Sequence, residues 1–527
     1  MDSCSGTERT TAPRVAPSAE TAPIRPVSFG RRLSQLAEAR GDETAAVFVT
    51  VTGRERRLRW GELDRQANRL ARAMAERGVS RVDAVVVGLP QCPEHVIATF
   101  AAWKLGACVI PLRPDLPVRE RAALLNLSEA AAVIANWPEV SMAWHRAEVC
   151  QPGSHDDAPL PEVVPECALA IASGGSTGRP KLIETPLPAT TVPGHPMNPL
   201  APLLGLRPGQ VTLVTTPASH VLGFGLLYAS FFDDRLPIVV ERFDPDVILD
   251  LVERRRVNYL TLVPTTMQRL LRATRIAACD LSSTDTLLHT AAPCPPWVKQ
   301  GWIDLLGPEK VIEVYSSTEQ VGMTVVTGVE WLARPGTVGK GVMTEIRILD
   351  ESGHELPPGQ VGEIFTRLAG LPEPLYRYRG AERGPVTGDG FASVGDLGWL
   401  DDDGYLYIAD RRDDLIITGG ANVFPAEVEA ALSEHPDVVD VAVVGVPDPE
   451  WGQRVHAVIE PRPAGAPATE TLLAWCRERL APYKVPKSFS IVDQLPRSEA
   501  GKIRRSELAH SPSMVAGAGR RETGTSE

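Results

Sequence analysis

The stretch Ala168–Glu184, ALAIASGGSTGRPKLIE, places an apolar segment directly before a loop rich in glycine and hydroxyl residues. Glycines let several backbone N–H groups approach one anion, and the hydroxyls add hydrogen-bond donors. Lys181 adds a positive charge at the end of the loop. The pattern predicts a loop that binds the phosphates of a nucleotide, and a flexible Gly/Ser connection between two elements is the alternative. The loop residues are Ser173, Gly174, Gly175, Ser176, Thr177 and Gly178.

Apolar segments rich in β-branched residues alternate with helical segments on both sides of this loop. AAVFVTV at 45–51 precedes a helical segment at 60–78, in which Leu63, Ala67, Leu70 and Met74 share one face. The alternation recurs in LPIVVE, DVILDLVERRR, NYLTLVP and TTMQRLLRAT. Such alternation predicts an α/β fold with largely parallel sheets covered by helices.

The predicted domains follow from changes in this pattern. Turn-separated strands at 338–409 predict a small β subdomain within a large N-terminal domain that spans 27–412. The segment at 413–511 has strands and helices of its own and predicts a smaller α+β C-terminal domain. The tails at 1–26 and 512–527 contain few large apolar residues and are predicted to be disordered.

Composition narrows the class of protein. The 527 residues carry 54 Lys and Arg against 66 Asp and Glu, a net charge of −12, which argues against nucleic acid or an anionic membrane as the partner. The eight cysteines are scattered without a C-x-x-C pair, as in a protein with reduced thiols. No apolar run has the ~20 residues that a membrane helix needs, and no signal peptide is evident, so we expect a cytoplasmic protein.

The loop at 173–181 lacks the spacing of a Walker P-loop. It resembles instead the phosphate loop of the adenylate-forming superfamily, which includes acyl-CoA synthetases, peptide-synthetase adenylation domains and luciferases. Five further motifs of that family follow in the family's order: PASHVLGFG, LLHTAAPCPPW, EVYSSTEQVG, SVGDLGWLDDDGYLYIADRRDD with TGGANVFPAEVE, and LPRSEAGKIRR. The resemblance implies an enzyme that uses ATP, Mg²⁺ and coenzyme A, passes through an acyl-adenylate, and releases AMP and an acyl-CoA thioester.

The resemblance also implies roles for individual residues. Glu319 would hold Mg²⁺, and Thr318, Lys181 and Lys502 would act with it in catalysis at the phosphates. The remaining nucleotide contacts would come from Ala291, Ala292 and Pro293 at the adenine ring, Tyr315 stacked on it, and Ser316 beside it. Asp396 would contact the ribose, and Arg411 the ribose or a phosphate.

A second group of residues would serve the acid and coenzyme A. Asp413 matches the hinge about which the mobile C-terminal domain swings between two half-reactions. The acid pocket would contain His220, Gly223, Phe224 and Ser317, and the coenzyme A loop would contain Gly419, Gly420 and Glu427. Read without the resemblance, His220 is a core histidine, Asp396 a turn residue and Lys502 a surface lysine.

Leu182 and Ile183 replace a common Gly-Val pair, a variant that resembles both aryl-acid adenylating enzymes and bacterial bile-acid or steroid CoA ligases. The segment HTAAPCPPWVKQGWIDLLGPEKVIEVY is similar to the second group. These features favour a bulky alicyclic acid, steroidal or terpenoid, as in the diterpenoid-acid CoA ligases of actinomycete antibiotic pathways. Two departures concern the first half-reaction: Ser316 and Ser317 replace glycine, and Ala291 replaces glycine. A misplacement of an ångström beside reacting atoms can cost about 100-fold in rate.

Three alternatives stay open at this stage. The same site could load a carrier-protein thiol, or it could thioesterify an acyl-adenylate supplied by a partner ligase. From a different class, the chain could be a binding protein with a decayed active site, which the joint retention of Lys181, Glu319, Asp396 and Lys502 argues against. The sequence leaves open whether the protein forms a homodimer.

Overall fold

The computed structural model of the chain describes residues 25–140, 144, 146–150, 155–174, 180–462, 465–497, 503 and 505–509. Of the predicted site residues, Gly175, Ser176, Thr177, Gly178 and Lys502 lie outside the described residues. The two predicted tails also lie outside them, apart from residues 25 and 26.

The N-terminal part, up to Arg411, contains the large sheet. The strands of this N-terminal part, in chain order, are β1 (Val27–Ser28), β2 (Thr44–Val49), β3 (Glu55–Arg59), β4 (Ala84–Gly88), β5 (Cys108–Pro111), β6 (Ala132–Ala135), β7 (Ala170–Gly174), β8 (Pro180–Glu184), β9 (Thr190–Thr191), β10 (Val211–Val214), β11 (Leu236–Val240), β12 (Tyr259–Leu262), β13 (Thr286–His289), β14 (Val311–Ser316), β15 (Met323–Thr327), β16 (Thr337–Gly341), β17 (Thr344–Leu349), β18 (Gly362–Leu368), β19 (Arg377–Arg379), β20 (Ala392–Leu400) and β21 (Leu406–Arg411).

Helices cover these strands in the order that the alternation predicts. They are α1 (Phe29–Arg40), α2 (Trp60–Glu76), α3 (Pro93–Leu105), α4 (Val118–Ser128), α5 (Arg146–Cys150), α6 (Val221–Phe232), α7 (Pro245–Arg255), α8 (Pro264–Leu271), α9 (Pro296–Leu306) and α10 (Gly328–Ala333).

The large sheet has thirteen strands in the order β17-β18-β20-β21-β16-β15-β14-β13-β12-β10-β11-β2-β3. The run from β14 to β2 is parallel, and the strands on either side of it are antiparallel. The α/β fold with parallel sheets is thereby confirmed. The predicted small β subdomain is hydrogen-bonded to the rest of this sheet through the pairing of β16 with β15, so it continues the sheet.

The core explains why the predicted helical face forms. Leu63, Ala67, Leu70 and Met74 of α2 are all fully buried, and they pack in the cluster that also contains α3 and α6. Burying one leucine side chain contributes about 1.5–3 kcal/mol relative to leaving it in water. The six cysteines whose side chains are described are free thiols. Across the described residues, no helix is long and apolar enough to span a membrane.

The C-terminal part begins after a single 3-10 turn, Arg412–Asp414. It contains β22 (Ile416–Thr418), β23 (Ala421–Val423), α11 (Pro425–Ser433), β24 (Val438–Asp448), β25 (Gly452–Pro461), α12 (Thr469–Arg479), β26 (Ser488–Ile491) and α13 (Arg505–Ala509). Both α11 and α12 pack on one face of its sheet around a separate apolar cluster. This second core makes the smaller α+β domain that the sequence predicts.

Candidate active site

A cavity of about 2750 Å³ lies between the two domains, at the edge where the parallel strands end. Thr216 follows β10, Thr290 follows β13, and Ser317 follows β14, and all three line the cavity. Parallel strands in one sheet end at a common edge, where ligands of α/β proteins bind. Three of the predicted motifs therefore meet at this edge because they come just after β10, β13 and β14 of the large sheet.

Tyr315, Asp396 and Arg411 form one polar group in this cavity. The Tyr315 hydroxyl donates to Asp396 Oδ2 over 2.7 Å, and Arg411 Nε lies 3.3 Å from Asp396 Oδ1. The antiparallel pairing of β20 with β21 places Asp396 directly opposite Arg411. Burial and the neighbouring carboxylate raise the pKa of Tyr315, which keeps its hydroxyl a donor. Each oxygen of the Asp396 carboxylate thus has one contact that fixes its orientation. A carboxylate fixed in this way is suited to accept hydrogen bonds from a pair of sugar hydroxyls.

Lys181, Glu319 and Tyr378 form a second polar group. Lys181 Nζ lies 3.3 Å from Glu319 Oε1 and 3.8 Å from the centroid of the Tyr378 ring. The Tyr378 hydroxyl donates to the same oxygen of Glu319 over 2.6 Å. Burial and this carboxylate raise the pKa of Tyr378. A single carboxylate next to a lysine fits Mg²⁺, which takes few protein ligands and completes its shell with water and phosphates.

The ends of the predicted phosphate loop lie at this cavity. Strands β7 and β8 pair so that Ser173 is opposite Lys181 and Gly174 is opposite Pro180. Ser173 and Lys181 both contribute to the cavity wall. The described end of β8 therefore brings Lys181 to within 3.3 Å of Glu319.

The predicted adenine loop has a strained backbone. Ala291, Ala292 and Pro293 line the cavity, and Ala291 has φ +80°. An L-residue in this region pays about 1–2 kcal/mol relative to a right-handed conformation, a cost that glycine avoids. With alanine in place of glycine, residue 291 keeps the left-handed conformation, but the loop is less stable than it would be with glycine.

The two serines that replace glycine have different surroundings. The Ser316 hydroxyl donates to the Gly322 carbonyl over 2.8 Å and so closes its own loop. Ser317 Oγ is buried at the cavity wall without a hydrogen-bond partner among the described residues. Thr318 and Glu319 follow in the same wall. Ser316 therefore closes its own loop, whereas the Ser317 hydroxyl is left without a partner in the cavity wall.

Of the residues predicted for the acid pocket, the structure places His220 and Ser317 at the cavity wall and Gly223 and Phe224 away from it. The helix α6 lines the cavity through Leu222, Gly225, Leu226 and Ala229, with His220 at its start. Phe224 instead packs among the aromatic rings of the core, 4.3 Å from Tyr228 between ring centroids. A Cβ at Gly223 would lie 2.3 Å from the carbonyl oxygens of Thr216 and Pro217. Gly223 thus permits close packing of the backbone, and helical periodicity turns Phe224 away from the cavity.

Several residues of the C-terminal domain contribute to the cavity wall, but not all of its predicted functional residues do. Asp413 and Ile503, which follows Lys502 in the chain, contribute to the cavity wall. The Gly419–Gly420 turn does not line the cavity in the described part of the chain, because Gly419 packs against the Trp451 ring. Glu427 lines the cavity and forms an ion pair with Lys484 at 2.6 Å.

A set of hydrogen bonds holds the C-terminal domain in this orientation. Gln268 Nε2 donates to the Val439 carbonyl over 2.7 Å, and Arg272 donates to the carbonyls of Val438 and Val439. These contacts join α8 of the large domain to β24 of the small one. They define one of the orientations available to a domain attached through a short turn.

Sequence reasoning missed two polar features of the cavity. Tyr378 shares Glu319 with Lys181, although 59 residues separate Tyr378 from Glu319. Asp233 and Arg235 line the cavity between α6 and β11. Nothing in the pattern of the segment YRYRGAE around Tyr378 indicates a contact with Glu319.

Comparison with known proteins agrees with this geometry. The model of the AMP-binding enzyme family matches residues 33–373, and that of the AMP-binding enzyme C-terminal domain matches 427–502. A feruloyl-CoA synthase from Amycolatopsis is 34% identical over 466 residues, covering 86% of this chain and 93% of the relative. A 2-succinylbenzoate–CoA ligase from Bacillus licheniformis is 30% identical over 498 residues, covering 90% and 98%.

A solved structure shares the fold along nearly the whole chain. The o-succinylbenzoate CoA synthetase from Bacillus subtilis, in complex with its acyl-adenylate intermediate, has a TM-score of 0.77 at 25% identity, covering 92% of this chain and 98% of that one. The same enzyme with ATP and a magnesium ion has a TM-score of 0.75 at 26% identity, covering 92% of this chain and 99% of that one.

Proposed function

Since the chain belongs to the AMP-binding enzyme family, we propose that its cavity activates a bulky carboxylic acid as an acyl-adenylate and transfers the acyl group to coenzyme A. The chain is an ATP-dependent, AMP-forming acid–CoA ligase, which uses ATP, Mg²⁺ and coenzyme A. The observation that carries the proposal is the convergence of Tyr315–Asp396–Arg411 and Lys181–Glu319–Tyr378 on one cavity.

The nucleotide is proposed to lie between the two polar groups. Asp396 accepts hydrogen bonds from the ribose hydroxyls, because Tyr315 and Arg411 already hold its carboxylate in place. The adenine ring lies against the loop at 291–293 and the Tyr315 ring. The phosphates lie at the β7–β8 hairpin, beside Lys181 and Thr318.

In the first half-reaction, a carboxylate oxygen of the acid attacks the α-phosphorus, the bond to the β-phosphate oxygen breaks, and pyrophosphate leaves. Glu319 would hold Mg²⁺, which supplies charge neutralisation when bound. Lys181 and Lys502 are proposed to stabilise the negative charge that builds up on the phosphoryl oxygens. Ser317 faces the same space, so its hydroxyl is proposed to contact the acid's carboxylate.

In the second half-reaction, the thiolate of coenzyme A attacks the acyl carbon and AMP leaves with the oxygen of the former carboxylate. The Gly419–Gly420 turn must then reach the cavity, which it does not line in this orientation. Rotation at Asp413 is proposed to exchange Lys502 for this turn, and Glu427 moves with the turn. The contacts of Arg272 and Gln268 to β24 must break during that rotation.

The acid is proposed to be bulky and alicyclic, steroidal or terpenoid, as in the resemblance to steroid and diterpenoid-acid CoA ligases. Its proposed pocket is lined by Leu200, Leu204, Leu226, Leu288 and Met323, with Gly225 and Ala229 leaving room on α6. Gly225 and Ala229 leave space for a ring system that larger side chains such as leucine would fill at the same positions. The named relatives act on ferulate and succinylbenzoate, so an aromatic acid is the second candidate.

The first experiment is mass-spectrometric product analysis with steroid, diterpenoid, aryl and fatty acids, ATP, Mg²⁺ and coenzyme A. Parallel reactions contain synthetic acyl-adenylates in place of acid and ATP. Acyl-CoA from a free ring-containing acid supports the proposal, and acyl-CoA from aryl acids alone replaces the alicyclic class by the aromatic one. Product only from the preformed adenylate identifies a specialist for the second half-reaction.

Two further alternatives have their own measurements. Replacing coenzyme A by a phosphopantetheinylated carrier protein tests whether the enzyme loads a carrier. If only the carrier becomes acylated, the carrier protein is the acceptor in place of coenzyme A. Light scattering behind size-exclusion chromatography tests the homodimer that the sequence leaves open. Neither measurement alters the assignment of the nucleotide residues.

A further inference from the structure

Two cysteines of the large domain lie in contact although 59 positions separate them in the chain. The Sγ atoms of Cys108 and Cys167 are 3.6 Å apart. Of the six free thiols that the structure describes, these two form the pair in sulfur–sulfur contact. A disulfide bond is about 2.05 Å long, so the two sulfur atoms must approach by about 1.5 Å to form one.

The backbone beside both cysteines is held by hydrogen bonds. Cys108 is the first residue of β5, and the N–H of the next residue, Val109, donates to the Ala168 carbonyl over 3.4 Å. The indole N–H of Trp103 donates to the same carbonyl over 2.8 Å. Ala168 directly follows Cys167 in the chain. Because these bonds fix the neighbouring backbone, we expect the sulfur atoms to approach by rotation of the two side chains.

The two thiols differ in exposure and in hydrogen bonding. Cys167 is partly exposed, whereas Cys108 is buried. The Cys167 thiol has the carbonyls of Leu169 and Thr185 as acceptors, so Cys108 is the donor between the two sulfur atoms. This hydrogen bond from Cys108 lowers the pKa of Cys167. The thiolate is the form of cysteine that attacks an oxidant, so Cys167 is the nucleophile of the pair.

We propose that Cys108 and Cys167 form a reversible disulfide when the protein is exposed to a peroxide. The Cys167 thiolate attacks one oxygen of hydrogen peroxide, the O–O bond breaks, and a sulfenic acid forms with hydroxide, which takes up the proton that Cys167 lost. Cys108 Sγ then attacks Cys167 Sγ, the S–O bond breaks, and the hydroxyl group leaves as water with the proton of Cys108. The two sulfur atoms lose two electrons in total, and the peroxide is reduced to two molecules of water.

The disulfide protects Cys167 and leaves the cavity intact. A sulfenic acid without a neighbouring thiol is oxidised further to acids that a thiol reductant does not reverse. Strand β7 begins three residues after Cys167 and carries Ser173 to the cavity wall, and β5 carries Pro111 to the same wall. Since the backbone beside the cysteines is fixed, the bond ties these two strands together in the positions that they already have. A low-molecular-weight thiol reverses the reaction by exchange and becomes a disulfide itself.

The test begins with the whole, fully reduced protein, treated with hydrogen peroxide at stepwise increasing molar ratios. The remaining thiols are blocked with N-ethylmaleimide, and the digested protein is analysed by mass spectrometry without reductant. We expect one linked pair of peptides containing Cys108 and Cys167, lighter than the two thiol peptides by two hydrogen atoms and absent after treatment with dithiothreitol. Oxidation of Cys167 to a sulfinic acid without the linked pair overturns the proposal.

Variants assign the two roles within the pair. C108S removes the second thiol, so we expect about 10-fold more sulfinic and sulfonic acid at Cys167 than in the unaltered protein at the same peroxide ratio. C167S should leave Cys108 as a thiol. C279S is the matched control, because Cys279 is also a partly exposed thiol beside a backbone carbonyl, that of Leu249 at 3.6 Å, and it should give the same yield of the linked pair. Equal over-oxidation of Cys167 in C108S and the unaltered protein overturns the role of Cys108.

A second measurement tests whether the bond forms without moving the strands. A disulfide that closes a long loop limits the unfolded chain, so we expect the thermal midpoint of the oxidised protein to lie about 2–5 °C above that of the reduced protein. The calorimetric Kd for ATP should be the same in both forms. A lower midpoint or a weaker affinity for ATP overturns the fixed position of the strands. If C108S does not fold, the peptide analysis of the unaltered protein and C167S still decides the inference, and it needs no acid substrate.

Discussion

Replacing Tyr315 by phenylalanine isolates one hydrogen bond of the nucleotide site. The variant keeps the aromatic ring that is proposed to face adenine and removes only the hydroxyl that donates to Asp396 over 2.7 Å. A hydrogen bond to a charged group contributes about 1.5–3 kcal/mol, which corresponds to about 10- to 150-fold in an equilibrium constant. Arg411 still contacts the carboxylate at 3.3 Å, so we expect the lower part of that range.

The expected result is a KM for ATP raised by about 10- to 30-fold with a smaller change in kcat, because Asp396 loses its fixed orientation toward the ribose. Pyrophosphate release at varied ATP concentration measures both constants. Y405F is the matched control, since the Tyr405 hydroxyl also contacts a carboxylate, Glu330 at 3.3 Å, outside the cavity wall. An unchanged KM in folded Y315F, or an equal rise in Y405F, would refute the assignment of Asp396 to the nucleotide.

Three other perturbations test the strain, the domain contact and the hinge region. A291G should raise the free energy of unfolding, measured by urea denaturation, by up to about 1 kcal/mol. Glycine relieves the left-handed strain at residue 291, and its greater entropy in the unfolded chain offsets part of that gain. A loss of stability in A291G would show that the backbone at Ala291 is not strained. R272A should slow acyl-CoA formation from acid and ATP at least about fivefold, by removing the contacts to β24, while sparing the reaction of a synthetic acyl-adenylate; equal slowing of both contradicts a role in domain orientation. Burial raises the pKa of Asp410 to about 6, so its protonated form stabilises the fold below the unfolded pKa and that contribution is lost as the pH rises through about 6. The stability difference between the unaltered protein and D410N should therefore fall by on the order of 2–3 kcal/mol from pH 4 to pH 7, and a constant difference would show that folding does not raise the pKa of Asp410.

The fold and much of the site could be read from local pattern. Leu63, Leu70 and Met74 were predicted to share a buried face from helical spacing alone, because that periodicity is a property of consecutive residues. Ser317 and Thr290 reached the cavity because each follows a strand, and the ends of parallel strands meet at one edge. The residue roles that the motifs predict also depend only on residues that are contiguous in the sequence.

Tertiary structure decided the features that depend on contacts between distant segments. Phe224 turned into the aromatic core although its motif suggested the acid pocket, because packing against Tyr228 determines which face of α6 is buried. Tyr378 joined Lys181 at Glu319 only through the pairing of β19 with β8. The burial of Arg235 beside Asp233 likewise arises from the walls that enclose it. The sequence by itself determined the fold class and the order of the motifs, since both follow from local spacing, whereas burial and unsatisfied hydrogen bonds depend on the packing of the whole chain.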